Sequence, residues 1–107
     1  MKRAELSFEV PNVGEVLLEP ITYNSGREGY MYTTKDGTFN LTLNMDEVGE
    51  EYMILKMYHE AEVICRHLLE KTDMFDTVKV VSVGLNYGTV VALNPSYYEE
   101  KEKELLD

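Results

Sequence analysis

The feature that most constrains this fold is a strict two-residue alternation of apolar and polar side chains in the first half of the chain. It runs through residues 5–10 and again through residues 39–45, just after a turn at residues 35–37 that contains Asp-Gly. Successive strand residues point to opposite faces, so this alternation is typical of strands with one buried face. An Asp-Gly turn between such segments indicates a hairpin. We therefore predict four strands, at residues 5–10, 15–23, 30–34 and 39–45, with Pro20 making the second an edge or bent strand.

The second half of the chain predicts one main helix and further strands. Residues 52–57 fit either a short strand or the start of a helix that runs to Leu69, and we favour the strand because the apolar run has strand length. Apolar residues spaced three and four apart then predict a main helix at about 59–72. Two β-rich segments, 77–83 and 89–93, predict a hairpin, and a short C-terminal helix follows at about 97–106.

Together these elements predict an α+β fold. We expect a mainly antiparallel sheet of five to six strands, with the helix at about 59–72 packed across it. The chain of 107 residues is long enough for one domain, covering residues 1–107, and too short for two.

The charge balance excludes several classes of function. Lys and Arg total 10 and Asp and Glu total 20, which gives a formal charge of −10. Direct binding to nucleic acid requires a basic surface, and an anionic membrane would repel this chain. Glu5 and Glu9 interrupt any signal-peptide core, and no apolar stretch approaches the roughly 20 residues that span a bilayer. Because the chain also has a single cysteine, we expect a cytoplasmic protein.

The residues that usually carry catalysis or bind metals are not arranged for either role. His59 and His67 would lie about 80° apart around a helix, and Cys65 falls on its apolar stripe. The segment from Asp36 has the length of an EF-hand loop, but Leu41 occupies the position that requires Gly. The glycines and serines match neither a phosphate loop nor a nucleophile elbow. We therefore predict a protein that is not an enzyme and that has no metal or cofactor.

The informative feature is instead acidity on the predicted strands. Pairing the apolar faces of the first two strands places Glu9 opposite Glu15 and Glu5 opposite Glu19. Like charges that face each other cost about 0.2–1 kcal/mol per pair. Two interpretations stay open: the carboxylates keep the protein soluble, as charged runs on a solvated face usually do, or they recognise a basic partner. The first also covers the case in which these two strands are not neighbours. A second acidic group follows the fourth strand. The candidate partner-binding residues are Glu5, Glu9, Glu15, Glu19, Asp46, Glu47, Glu50 and Glu51.

Three segments resemble small acidic proteins of unknown function that bacterial mobile elements and phages carry. They are NLTLN at residues 40–44, LLEK at 68–71 and GLNYGTVV at 84–91, and the likeness covers about residues 38–95. The resemblance implies an accessory protein that acts by binding, in a class that includes acidic inhibitors imitating nucleic acid. It assigns no functional residue. The charge of −10 and the carboxylates on the strands predict a basic, nucleic-acid-handling protein as the partner. The alternative is a structural or self-associating domain, a homodimer through a strand edge at 52–57 or through the C-terminal helix.

Overall fold

The structure is a computed structural model that describes residues 5–46, 48–97, 99 and 100. Within these residues it contains eight strands and the helix α1, and residues 95–97, 99 and 100 are also helical. In chain order the elements are β1 (Leu6–Val10), β2 (Gly14–Thr22), β3 (Glu28–Thr34), β4 (Gly37–Asn40), β5 (Thr42–Leu43), β6 (Met53–Lys56), α1 (Ala61–Lys71), β7 (Phe75–Val83) and β8 (Asn86–Leu93). The α+β class predicted from the sequence is confirmed.

The strands form two antiparallel sheets of four strands each, so the prediction of one sheet with five to six strands is wrong. Sheet A has the order β1-β2-β3-β4, and sheet B has the order β5-β6-β8-β7. The difference arises at Leu41, which divides the predicted strand 39–45 into β4 and β5. The Leu41 N–H donates to the Tyr30 carbonyl in sheet A (3.0 Å), whereas its carbonyl accepts from the Lys56 N–H in sheet B (2.9 Å).

The other predicted elements are present with small changes in their bounds. Residues 52–57 contain the strand β6, and the helix expected at about 59–72 is α1. The predicted hairpin is β7–β8. The C-terminal helix begins earlier than predicted, at Pro95, because the Asn94 side chain accepts the Ser96 N–H (3.1 Å) and so caps it. Residue 98 and residues 101–106 of that predicted helix lie outside the described residues.

Pro20 lies in β2, opposite Tyr30, although β2 is an inner strand of sheet A. The described pairing between β1 and β2 extends only from Gly14 to Leu18. Beyond Leu18, β3 is the only described partner of β2, so the strand can accommodate a residue without an N–H there.

One hydrophobic core joins both sheets and the helix. Leu18 of β2, Leu55 of β6 and Leu68 of α1 are fully buried in the same cluster. On the opposite face of sheet B, Ile54 and Val90 form a smaller cluster with Val48, which belongs to the loop between β5 and β6. Among the described residues no helix has both the length and the apolar content to cross a membrane.

Candidate functional site

One of the two predicted carboxylate pairs, Glu9 with Glu15, is present on the outer surface of sheet A. β1 and β2 pair with Leu6 opposite Leu18 and with Glu9 opposite Glu15. Leu6 and Leu18 point into the core, so Glu9 and Glu15, which are odd-numbered neighbours on the same strands, point outward and are exposed. The apolar faces of the two strands therefore fix the register that brings these two carboxylates together.

The other two predicted strand carboxylates are placed differently. Glu5 is exposed but precedes β1, so the β1–β2 ladder does not include the predicted pairing of Glu5 with Glu19. Glu19 is half-buried on the outer face and accepts a hydrogen bond from Thr33 Oγ1 (3.3 Å). Ser7 Oγ similarly donates to Glu15 Oε1 (3.2 Å). Hydroxyl groups therefore orient these carboxylates.

Among the described residues, no cation neutralises the surface that we call the acidic face, formed by Glu9, Glu15 and Glu19. The four strands of sheet A contain no Lys or Arg. The ion pairs between described residues join Lys56 to Glu60 and Arg66 to Glu62, and neither involves this face. The negative charge of the acidic face is therefore uncompensated within the part of the chain that the structure describes.

We expect replacement of Glu9 by Gln to raise the free energy of unfolding by about 0.2–1 kcal/mol, because it removes the repulsion from Glu15 across the strand pair. Urea unfolding measures the change, and the gain should shrink as salt screens the two charges. Glu70→Gln, on the exposed surface of α1, is the matched control. A loss of stability in the Glu9 variant alone would mean that the facing carboxylates do not repel each other.

The second predicted group lies in the loop at residues 44–52, which we call the acidic loop. Asp46, Glu50 and Glu51 are exposed there, and Glu47 lies outside the described residues. The acidic loop contacts the β2–β3 turn, whereas Glu15 lies at the other end of β2, about 20 Å away at 3.3 Å per residue. The structure therefore places the acidic loop at the opposite end of sheet A from Glu9 and Glu15, with Glu19 between them along β2.

Arg27, in the β2–β3 turn, anchors the acidic loop, and sequence reasoning missed it. Its guanidinium donates to the carbonyl oxygens of Gly49 (2.9 Å), Tyr52 (3.0 Å) and Val48. The Arg27 side chain is buried, and the planar five-donor guanidinium suits carbonyl groups that converge from one loop. Because Arg27 occurs alone between polar turn residues, no periodicity or motif distinguishes it from a solvated arginine.

A groove of about 270 Å³ lies between the β1–β2 turn, the β3–β4 turn and the start of α1. Its lining includes Val13, Phe39 and Val63, together with the nearly fully buried Tyr32. The Tyr32 hydroxyl makes no hydrogen bond with any described residue, and burial, with smaller effects from Glu60 and the nearby cysteine, raises its pKa to about 12. Tyr32 therefore stays protonated, and sequence alternation identifies it only as a core residue.

The histidines and the cysteine do not converge on a metal site within the described chain. Cys65 is fully buried, His59 is exposed and His67 is half-buried. Among the described residues no group of three or more His, Cys, Asp or Glu side chains could hold a metal ion. His59 has a positive φ of 53° just before α1, which accounts for the later start of the helix than predicted.

Comparisons of the chain with protein-family models, with curated proteins and with solved structures found no match. The resemblance to mobile-element proteins therefore stays a prediction.

Proposed function

We propose that this protein is a non-enzymatic binding module whose acidic face docks onto a basic protein. The observation that carries this proposal is the placement of Glu9, Glu15 and Glu19 on paired strands without a neutralising cation among the described residues. Carboxylates on a sheet present a fixed pattern of negative charge. Such a pattern steers the encounter with a cationic surface and discriminates between partners.

The side chains between these carboxylates favour a macromolecular partner. Leu17 lies between Glu15 and Glu19 along β2, and Met31 lies opposite Glu19 on β3, so both are on the outer face. Leu17 and Met31 are half-exposed, and Ile21 extends this apolar strip along β2. Protein interfaces commonly combine an apolar centre with a polar rim, and the outer face of sheet A has this composition.

The partner that fits best is a basic protein that handles nucleic acid, because its own surface must be cationic to bind phosphates. The resemblance to accessory proteins of mobile elements and phages supports the same partner and a cytoplasmic setting. An acidic protein that occupies such a cationic surface would act as an inhibitor.

Capture from an extract of the native host tests this proposal. The wild-type protein is expected to retain a basic protein at about 0.1 M salt and to release it at about 1 M, where the Debye length falls from about 10 Å to about 3 Å. Replacing the three carboxylates of the acidic face by Gln is expected to abolish capture. The control is Glu70→Gln with Asp73→Asn and Asp76→Asn, which removes the same charge from exposed positions elsewhere. Capture that does not depend on the salt concentration would contradict the proposal, and so would an acidic-face variant that still captures the partner.

A further inference from the structure

The strand β7 is an exposed edge of sheet B. It pairs with β8 alone among the described residues and ends the strand order β5-β6-β8-β7. The strand at residues 52–57, considered from sequence as the edge for self-association, is instead β6, which lies between β5 and β8. β7 is nine residues long, and unpaired backbone groups on such an edge are a template for another strand.

The backbone groups that face outward can be assigned from the hairpin. Val83 lies opposite Asn86, so Gly84 and Leu85 form a two-residue turn, and Gly84 has the positive φ (61°) that such turns use. A two-residue turn closes on a hydrogen-bonded pair, and these pairs alternate along an antiparallel ladder. Lys79, Val81 and Val83 therefore direct their N–H and C=O groups toward β8. Val80 and Ser82 direct theirs away from the sheet.

Features that normally prevent an edge strand from pairing with another chain are present only in the first half of β7. A bulge at Val78 and the charge of Lys79 interrupt the first half of the strand. The segment from Val80 to Val83 has neither a charge nor a proline, which are the common devices against edge pairing. Val80 is 61% exposed, and Leu85 at the tip of the hairpin is fully exposed.

The charge distribution identifies a second copy of this chain as the partner for this edge. The chain carries −10 overall, yet Lys79 is the only charged residue in residues 77–93. Two copies that meet through the acidic face or the acidic loop bring carboxylates together, whereas pairing along Val80 to Val83 places no carboxylate of that segment in the contact. Self-association at this edge therefore meets less repulsion than at either acidic surface.

We propose that β7 pairs antiparallel with β7 of a second copy, about a two-fold axis at Val81, to form one continuous eight-stranded sheet. In this register the outward N–H and C=O groups of Val80 exchange two hydrogen bonds with those of the partner's Ser82. By symmetry Ser82 exchanges two with the partner's Val80, which gives four hydrogen bonds. Lys79 lies opposite the partner's Val83, so the two Lys79 ammonium groups stay apart. This dimer does not depend on the acidic face, but it would present two copies of that face to a partner.

Sedimentation equilibrium of the full-length protein over a range of concentrations tests the dimer. We expect a limiting mass of twice 12.3 kDa for the wild type. Val80→Lys is expected to raise the dimer dissociation constant at least about tenfold, because it places a second pair of ammonium groups at the edge. Ser82→Pro should act similarly, since it removes an outward N–H that β8 does not use. Val63→Lys changes an equally apolar, 51% exposed position on α1 and should leave the dimer intact.

Two results would overturn this proposal. One is a wild-type protein that remains a monomer at about 100 µM, a concentration that would half-populate a dimer of about −5.5 kcal/mol. The other is a dimer that neither Val80→Lys nor Ser82→Pro weakens, since it would then use another surface. Circular dichroism and urea unfolding establish that each variant folds, and the second edge variant keeps the test decisive if one of them does not.

Discussion

Replacing Arg27 by Ala is expected to lower the free energy of unfolding by about 3 kcal/mol or more. The buried guanidinium donates to three carbonyl groups of the acidic loop. Its removal takes this donor from the Val48 and Tyr52 carbonyls, whereas the Gly49 carbonyl keeps the Tyr52 N–H (3.1 Å). A buried polar group that loses its partner costs about 1–3 kcal/mol, and hydrogen bonds from a charged donor are the stronger kind. Arg27→Lys keeps the charge but loses the planar fork, so we expect a smaller loss of about 1–2 kcal/mol.

Urea unfolding measures this effect, and hydrogen exchange shows where it acts. Amides in the acidic loop should exchange faster in the Ala variant before those of β2 and β3 do, because Arg27 anchors that loop to sheet A. Arg66→Ala is the control, since solvent screens the exposed Arg66–Glu62 pair on α1 and its loss should change stability little. Equal stability of the Arg27 and Arg66 variants would show that Arg27 does not anchor the loop.

The protein is expected to lose stability as the pH rises above about 9, because of Cys65. Burial raises the pKa of this thiol from 9.0 to about 12, and the thiol donates a hydrogen bond to the Lys56 carbonyl (3.5 Å). The folded state therefore holds the thiol proton more tightly than the unfolded state does. The stability that the protonated thiol contributes is fully present below about pH 9 and is lost as the pH approaches 12. The free energy of unfolding falls by about 1 kcal/mol at pH 10 and by on the order of 3 kcal/mol at pH 11.

Urea unfolding of the wild type and of Cys65→Ser at about pH 8 and about pH 11 measures this loss. Ser is close in size, and its hydroxyl can donate to the same carbonyl groups without titrating in this range. The wild type should therefore lose more stability than the variant between these two values. An equal loss in both proteins would mean that the thiol is not the group responsible.

Local patterns in the sequence predict the elements of this fold but not their division into sheets. The register of β1 with β2 follows from matching two apolar faces, and that register also places Glu9 opposite Glu15. At Leu41 the alternation continues unbroken while the hydrogen-bond partner changes from sheet A to sheet B. Alternation reports which side chains share a face and carries no information about the neighbouring strand, so the split into two sheets could not be foreseen.

The candidate sites also differ in whether the sequence could predict their positions. Carboxylates on regular strands could be placed from the sequence, because the two-residue period fixes the face on which they lie. The position of the acidic loop depends on Arg27, which acts through carbonyl groups more than 20 residues away along the chain. The exposed edge at β7 depends on strand order, which sequence patterns leave open. Long-range contacts of this kind have no local signature.

The central claim is that unneutralised carboxylates on sheet A bind a basic protein. The salt dependence of the affinity for the captured partner tests this claim most directly. Titration calorimetry at several salt concentrations compares the wild type, the variant with Gln at Glu9, Glu15 and Glu19, and the control variant changed at residues 70, 73 and 76. The acidic-face variant should bind at least about tenfold more weakly and with a shallower dependence on salt, whereas the control should match the wild type. Equal affinities and equal salt slopes for all three proteins would contradict the claim.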